Sequence, residues 1–141
     1  MKHEILYRPS YSLLKIGLEQ GESVSAEAGA MVSMSSSIEM QTAAKGGIFG
    51  ALKRSVLGGE SFFVNTFNAT GSGEVTFAPT LPGDVQALEL KGQTVYAQSG
   101  AYIASSPDIQ VDTKWGGAKT FFSREGLFLL QLSGTGTVFV S

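Results

Sequence analysis

The chain has 141 residues, 43% of them hydrophobic and 16% charged, with a formal net charge of −2, 18 glycines, one histidine and no cysteine. That composition excludes a disordered chain, and the missing cysteine excludes disulfides, thiolate nucleophiles and thiolate metal sites together. The length suits a single domain, 1–141, and so much glycine suits many short strands joined by tight turns.

The N-terminal MKHEILYRPSYSLLKIGLE has no uninterrupted apolar core before a small-residue cleavage site, so no signal peptide is expected. No apolar run approaches the roughly 20 residues of a membrane-spanning helix. The expected location is cytoplasmic, with peripheral attachment to a membrane as its variant. His3 is expected to be an exposed residue at a fraying terminus. With one histidine, the chain can build neither a Ser-His-Asp arrangement that spares His3 nor a cupin-type site of two or three histidines.

The first strong pattern is VSAEAGAMVSMSSSIEM, residues 24–40. Val24, Ala26, Ala28, Ala30, Val32 and Met34 alternate with Ser25, Glu27, Gly29, Met31 and Ser33. Period two is the signature of a strand with one buried face, and Gly29 permits a bulge or sharp bend within it. By this alternation Glu27 points outward and reads as a solvated carboxylate, as does Glu39.

Residues 45–60, KGGIFGALKRSVLGGE, lack the order of a Walker A phosphate loop and no βα unit surrounds them. Ile48, Phe49, Leu52 and Val56 would share one face of a short helix, with Lys53 and Arg54 beside it. Residues 59–78, GESFFVNTFNATGSGEVTFA, follow. Gly71-Ser-Gly73 sits between alternating apolar runs and reads as a hairpin turn. Residues 80–86, TLPGDVQ, form a joint around Pro82-Gly83.

The opening pattern then returns as VYAQSGAYIASSPDIQV, residues 95–111. Val24 becomes Val95, Gly29 becomes Gly100 and Ile38 becomes Ile109, each 71 positions on. Val95, Ala97, Ser99, Ala101 and Ile103 should face inward, and Tyr96, Gln98, Gly100 and Tyr102 outward. Residues 124–140, REGLFLLQLSGTGTVFV, echo 59–78, with Gly134-Thr-Gly136 in place of Gly71-Ser-Gly73. The expectation is an all-β chain of tandem β-units, at approximately 12–80 and 85–141, that share one core.

The motifs GESVSAEAGAMV (21–32), KGGIFGALKR (45–54) and GGESFFVNTF (58–67) resemble the altered-inheritance-of-mitochondria family, whose prokaryotic members have no assigned function. The resemblance spans nearly the whole chain. It implies an antiparallel double-stranded β-helix, jelly-roll-like, similar to the fold of the trp RNA-binding attenuation protein. That likeness to an RNA binder is one of fold and carries little functional weight. The mitochondrial relatives are implicated in inner-membrane organisation. Typical members carry a third repeat; this sequence, as a short member or as a fragment, is expected to lack it. The edge it would cover invites pairing with another chain, so a homo-oligomer is expected.

Charge supplies one candidate surface. Lys45, Lys53 and Arg54 lie in one loop with no acid before Glu60. Lys114, Lys119 and Arg124 lie in the matching loop, KWGGAKTFFSR, with no acid before Glu125. Phe49 and Trp115 supply bulky apolar groups. The other four basic residues face all 12 acids. These eight residues, Lys45, Phe49, Lys53, Arg54, Lys114, Trp115, Lys119 and Arg124, form a hypothetical binding patch. Basic and aromatic groups together suit an anionic membrane surface. They also suit single-stranded nucleic acid, although an acidic body argues against that partner. In the plainest reading, the apolar groups plug the barrel ends and the lysines solubilise them. The expected function is a non-enzymatic oligomeric scaffold or interaction module, with nucleic-acid or small-ligand binding as the alternative. No catalytic residue, metal or cofactor is expected, and no small-molecule substrate is assigned.

Overall fold

The computed structural model describes residues 1–42, 64–113 and 129–141. These residues form an all-β, antiparallel fold in which the sole helical element is a 3₁₀ turn, Ser99–Ala101. In chain order the strands are β1 (Lys2–Leu6), β2 (Leu13–Leu18), β3 (Ser23–Glu27), β4 (Met31–Met34), β5 (Ile38–Thr42), β6 (Val64–Ala69), β7 (Gly73–Phe77), β8 (Gln86–Gln98), β9 (Tyr102–Ser105), β10 (Gln110–Thr113) and β11 (Leu129–Val140). One sheet has the order β1-β2-β7-β4. The other runs β10-β11-β9-β3-β6-β5, with β8 paired to β11.

Alternation explains β2 directly. Leu14, Ile16 and Leu18 are buried while Leu13, Lys15 and Gly17 are half-buried. The stretch from Val24 to Met34 behaves differently from a single strand. It breaks into β3 and β4 around Gly29, whose φ of +93° lies in the left-handed region that favours glycine. The break moves the chain from one sheet to the other and resets the alternation. Val24, Ala26 and Ala30 are buried as expected, whereas Val32 and Met34 are exposed. The same slip follows the 3₁₀ turn in the second half, where Tyr102, expected outward, is fully buried.

The two G-x-G motifs are not hairpins. β6 pairs with β3 and β5, and β7 with β2 and β4, so Gly71-Ser-Gly73 carries the chain between sheets. Gly134-Thr-Gly136 lies inside the continuous β11. There the ladder to β8 slips between Ser133 and Thr135. Residues 130–133 pair with β10 and residues 138–140 with β9. Glycine is required by close approach. A Cβ on Gly134 would lie 2.5 Å from the Asp108 carbonyl oxygen, and one on Gly73 would lie 2.4 Å from the Ser37 hydroxyl. Each motif presses against the turn that follows β4 or β9. Ser35 N–H donates to the Glu74 carbonyl and Glu74 N–H to the Ser35 hydroxyl. Ser106 and Thr137 exchange the same two bonds.

That parallel extends to the ladders. The pairings β2–β7, β3–β6, β4–β7 and β5–β6 of the first half have counterparts in the second. There β11 stands for both β6 and β7, and β8 for both β2 and β3. The register slips between Met31 and Ser33 opposite β7, and again between the pairs at Phe139 and Val140 opposite β9.

Among the described residues the apolar interior falls into two clusters. One holds Leu14, Ile16, Phe67 and Phe77 with Ile103, Ala104 and Phe139 from the second half. Phe67 and Phe77 meet edge-on, with ring centroids 5.3 Å apart. The other cluster groups Tyr102, Ile109, Leu130, Leu132 and Val138. A ladder of two residue pairs, Ser25↔Ser105 and Ala26↔Ala104, joins the halves. The joint 80–86 is clasped by Arg8, whose guanidinium donates to both Asp84 oxygens at 2.9 and 2.8 Å. Ser12 donates to the same carboxylate at 2.7 Å. These donors hold the Asp84 carboxyl far below the usual carboxylate range. The N-terminus is tied down. His3 pairs with Ile16 in the β1–β2 ladder, and its ring stands edge-on to Phe139 at 5.0 Å.

Candidate functional site

β3 ends at Glu27, opposite Val64 on β6. β8 ends at Gln98, opposite Leu129 on β11. Glu27 and Gln98 occupy matching positions of the two halves, and both line one cavity of about 620 Å³. Thr80, Leu81, Gly100, Ala101 and Ser141 also line it. Glu27 is not the solvated carboxylate that alternation implied. Burial pushes its carboxyl up to about 7, because the apolar surroundings disfavour the charged form. Neighbouring Tyr102 is held protonated by burial. Its hydroxyl shares a 2.9 Å hydrogen bond with Ser105 and donates to the Ser25 carbonyl at 3.4 Å.

A carboxyl that titrates near neutrality beside a neutral amide can donate or accept a hydrogen bond from a small polar molecule. Among the described residues no three His, Asp or Glu side chains gather as a metal site requires. Two large apolar groups that alternation did not single out are exposed, Leu81 of the cavity wall at 76% and Tyr11 at 74%. Together they border a shallow cleft over the joint.

All eight residues of the basic and aromatic patch, Lys45, Phe49, Lys53, Arg54, Lys114, Trp115, Lys119 and Arg124, lie outside the described residues. So do Glu60 and Glu125. The strands that carry those segments are described. The first segment leaves β5 after Thr42 and re-enters at Val64. The second leaves β10 after Thr113 and re-enters at Leu129. Thr42 pairs with Asn65 and Thr113 with Leu130, at matching ends of matching ladders.

The model of the family "Mitochondrial biogenesis AIM24" matches residues 3–141. The chain belongs to the AIM24 family. An AIM24 relative, an uncharacterized protein of Streptococcus pyogenes serotype M6, is 31% identical over 136 residues, which is 91% of this chain and 55% of that protein. The crystal structure of a Streptococcus pyogenes protein superposes with a TM-score of 0.77 at 29% identity. It covers 99% of this chain and 63% of the other. The chain thus spans little more than half the length of the curated AIM24 relative it matches. Among the described residues no helix is long and apolar enough to cross a membrane.

Proposed function

We propose that this AIM24 chain is a non-enzymatic interaction module, a scaffold that assembles with copies of itself and offers its two basic, aromatic segments to an anionic membrane surface. What carries the reading is the placement of the roots. Both segments spring from corresponding strand ends, Thr42/Val64 and Thr113/Leu129, beside Glu27 and Gln98. Each segment opens with three cations before its first acid, while the rest of the chain is acidic. Cations and aromatic rings on one surface match anionic headgroups. The family's description as a mitochondrial biogenesis protein agrees with a role at a membrane. The recurring ladders and the paired Ser35–Glu74 and Ser106–Thr137 hydrogen bonds support a chain made of two copies of one unit. A second reading, a small-ligand binder, draws on the 620 Å³ cavity at Glu27.

Vesicle flotation with graded anionic lipid tests the membrane reading. The folded chain should float in proportion to anionic content and less so at high salt. The triple variant Lys53→Glu/Arg54→Glu/Lys119→Glu should remain in the dense fraction. A folded wild-type chain that never floats would remove the membrane from the reading.

A further inference from the structure

Three stretches of chain line the cavity at Glu27, and each is held in place by contacts among the described residues. Glu27 ends the β3–β6 ladder opposite Val64, and its carbonyl accepts from Ala30 N–H at 3.2 Å. Gln98 ends β8 opposite Leu129, and the 3₁₀ turn after it is tied down where Ser141 N–H donates to the Ala101 carbonyl at 2.9 Å. Thr80 and Leu81 belong to the joint, which Ser12 N–H pins at the Gly83 carbonyl at 3.1 Å, beside the Arg8–Asp84 clasp. The lining side chains are therefore carried on fixed backbone. At about 620 Å³ the space far exceeds the roughly 30 Å³ share of one water and falls within the roughly 300–1,000 Å³ of small-molecule sites.

Its charge is one-sided. Glu27 ionises and Gln98 does not, so two matching positions of the halves meet one space with a single negative charge between them. Among the described residues neither side chain has a hydrogen-bond or ion-pair partner, and no cation lines the cavity. Burial raises the Glu27 carboxyl because a carboxylate in such surroundings loses water and gains no opposite charge. Leu81 and Ala101 add apolar surface.

We infer, resting on the small-ligand reading of this same cavity, that it takes a small organic monocation, a primary ammonium on an aliphatic body. The ammonium meets the Glu27 carboxylate and the Gln98 carbonyl oxygen, and the body lies along Leu81 and Ala101. An ammonium has donors and no acceptor, which suits two oxygen acceptors. Its one charge balances the one carboxylate. A neutral ligand would leave that carboxylate unpaired, and an anion would meet it as a like charge. Around Glu27, β6 places Val64, the joint Thr80 and Leu81, β8 Gln98 and β9 Tyr102. Of these Tyr102 alone titrates, and the charge on Glu27 favours its protonated form.

Titration calorimetry of the full chain with hexylamine, hexanol and hexanoate, alike in body and different in charge, tests the ligand class. Hexylamine should bind, hexanol should bind at least tenfold more weakly by about the same measure, and hexanoate should not bind. Hexylamine stays an ammonium across neutral pH, whereas Glu27 ionises at about 7. Its affinity should therefore rise roughly tenfold from pH 6 to pH 8, following the fraction of carboxylate. By NMR, saturating hexylamine should lower the Glu27 titration midpoint. Glu27→Gln gives the first half the amide that the second half already has at Gln98, and should lose both the preference for hexylamine and its pH dependence. Hexanol or hexanoate binding as tightly as hexylamine would overturn the ammonium and leave the small-ligand reading standing. Hexylamine binding that survives Glu27→Gln unchanged would overturn the site. Failure of all three probes to bind would overturn the ligand class and the small-ligand reading together. A Glu27 midpoint below 4.5 in the free protein would show that the chain already supplies the cation, and would overturn the cavity as a place for a ligand.

Discussion

Glu27 shows how far a residue's character depends on what its neighbours bury. In the sequence it sits among alanines at an outward-facing place. In the fold the strand ends there, the chain turns, and the carboxyl closes against the wall of a cavity. Its folded carboxyl titrates near 7, above the ordinary value of 4.5. The folded state therefore holds a proton that the unfolded state has released between those two values. Stability is at its full value below about pH 4.5 and falls as pH rises towards 7, beyond which it levels off. With partial solvent screening the loss is of the order of 1–2 kcal/mol. Glu27→Gln removes the ionisation. Denaturant unfolding from pH 5 to pH 8 should show that slope in the wild type and lose it in the variant, which should be the more stable of the two at pH 8. The residue-scale signal available in the sequence was the counterpart at Gln98, which is neutral. A site that accepts an amide in one copy is one where a carboxyl gains little from its charge.

At the scale of elements, the strands were legible and their partners were not. Period two located β3, β4, β8 and β9 because side-chain direction is a local property of extended backbone. It could not show that the phase resets at Gly29 or after Ser99–Ala101, since that depends on which sheet the chain enters next. The G-x-G motifs misled for a related reason. Glycine between apolar runs suits a two-residue turn, but these glycines serve a close crossing. Gly134 has φ of +122° and lies against the Asp108 backbone. Gly134→Ala would meet strained φ and a carbonyl oxygen together. It should destabilise the fold by more than about 1 kcal/mol, read as a lower urea midpoint with an unchanged m-value. The basic segments remain a property of the sequence, and the fold contributes the strand ends at which they are rooted.

At the scale of the molecule, the described apolar residues group in two clusters, one of which draws on both halves. Phe139, on the last strand of the second half, belongs to the cluster built mainly by the first. It is fully buried, and His3 of β1 packs against its ring. The halves should accordingly unfold together. Phe139→Ala should cost about 3–5 kcal/mol. Calorimetry should still show a single transition, shifted down. A variant that splits into two transitions would mean that the clusters hold independently.

β11 is a hub. Among the described strands β8 and β10 pair with it alone, and β9 pairs with it and with β3. β6 and β7 between them pair with all of β2 to β5. In each half the strand that organises the sheet is the one made last. On a ribosome, everything ahead of Val64 would emerge with only the β1–β2 hairpin, among the described strands, able to close before β6 and β7 arrive. The second half repeats the wait until residue 129. A chain arranged in this way gathers its hydrogen-bond partners late and at long sequence separation, which makes folding slow. Its alternating apolar strands stay open to strangers for the length of that delay. The low charge that allows such dense packing therefore leaves the nascent chain dependent on the prompt arrival of its own final strand.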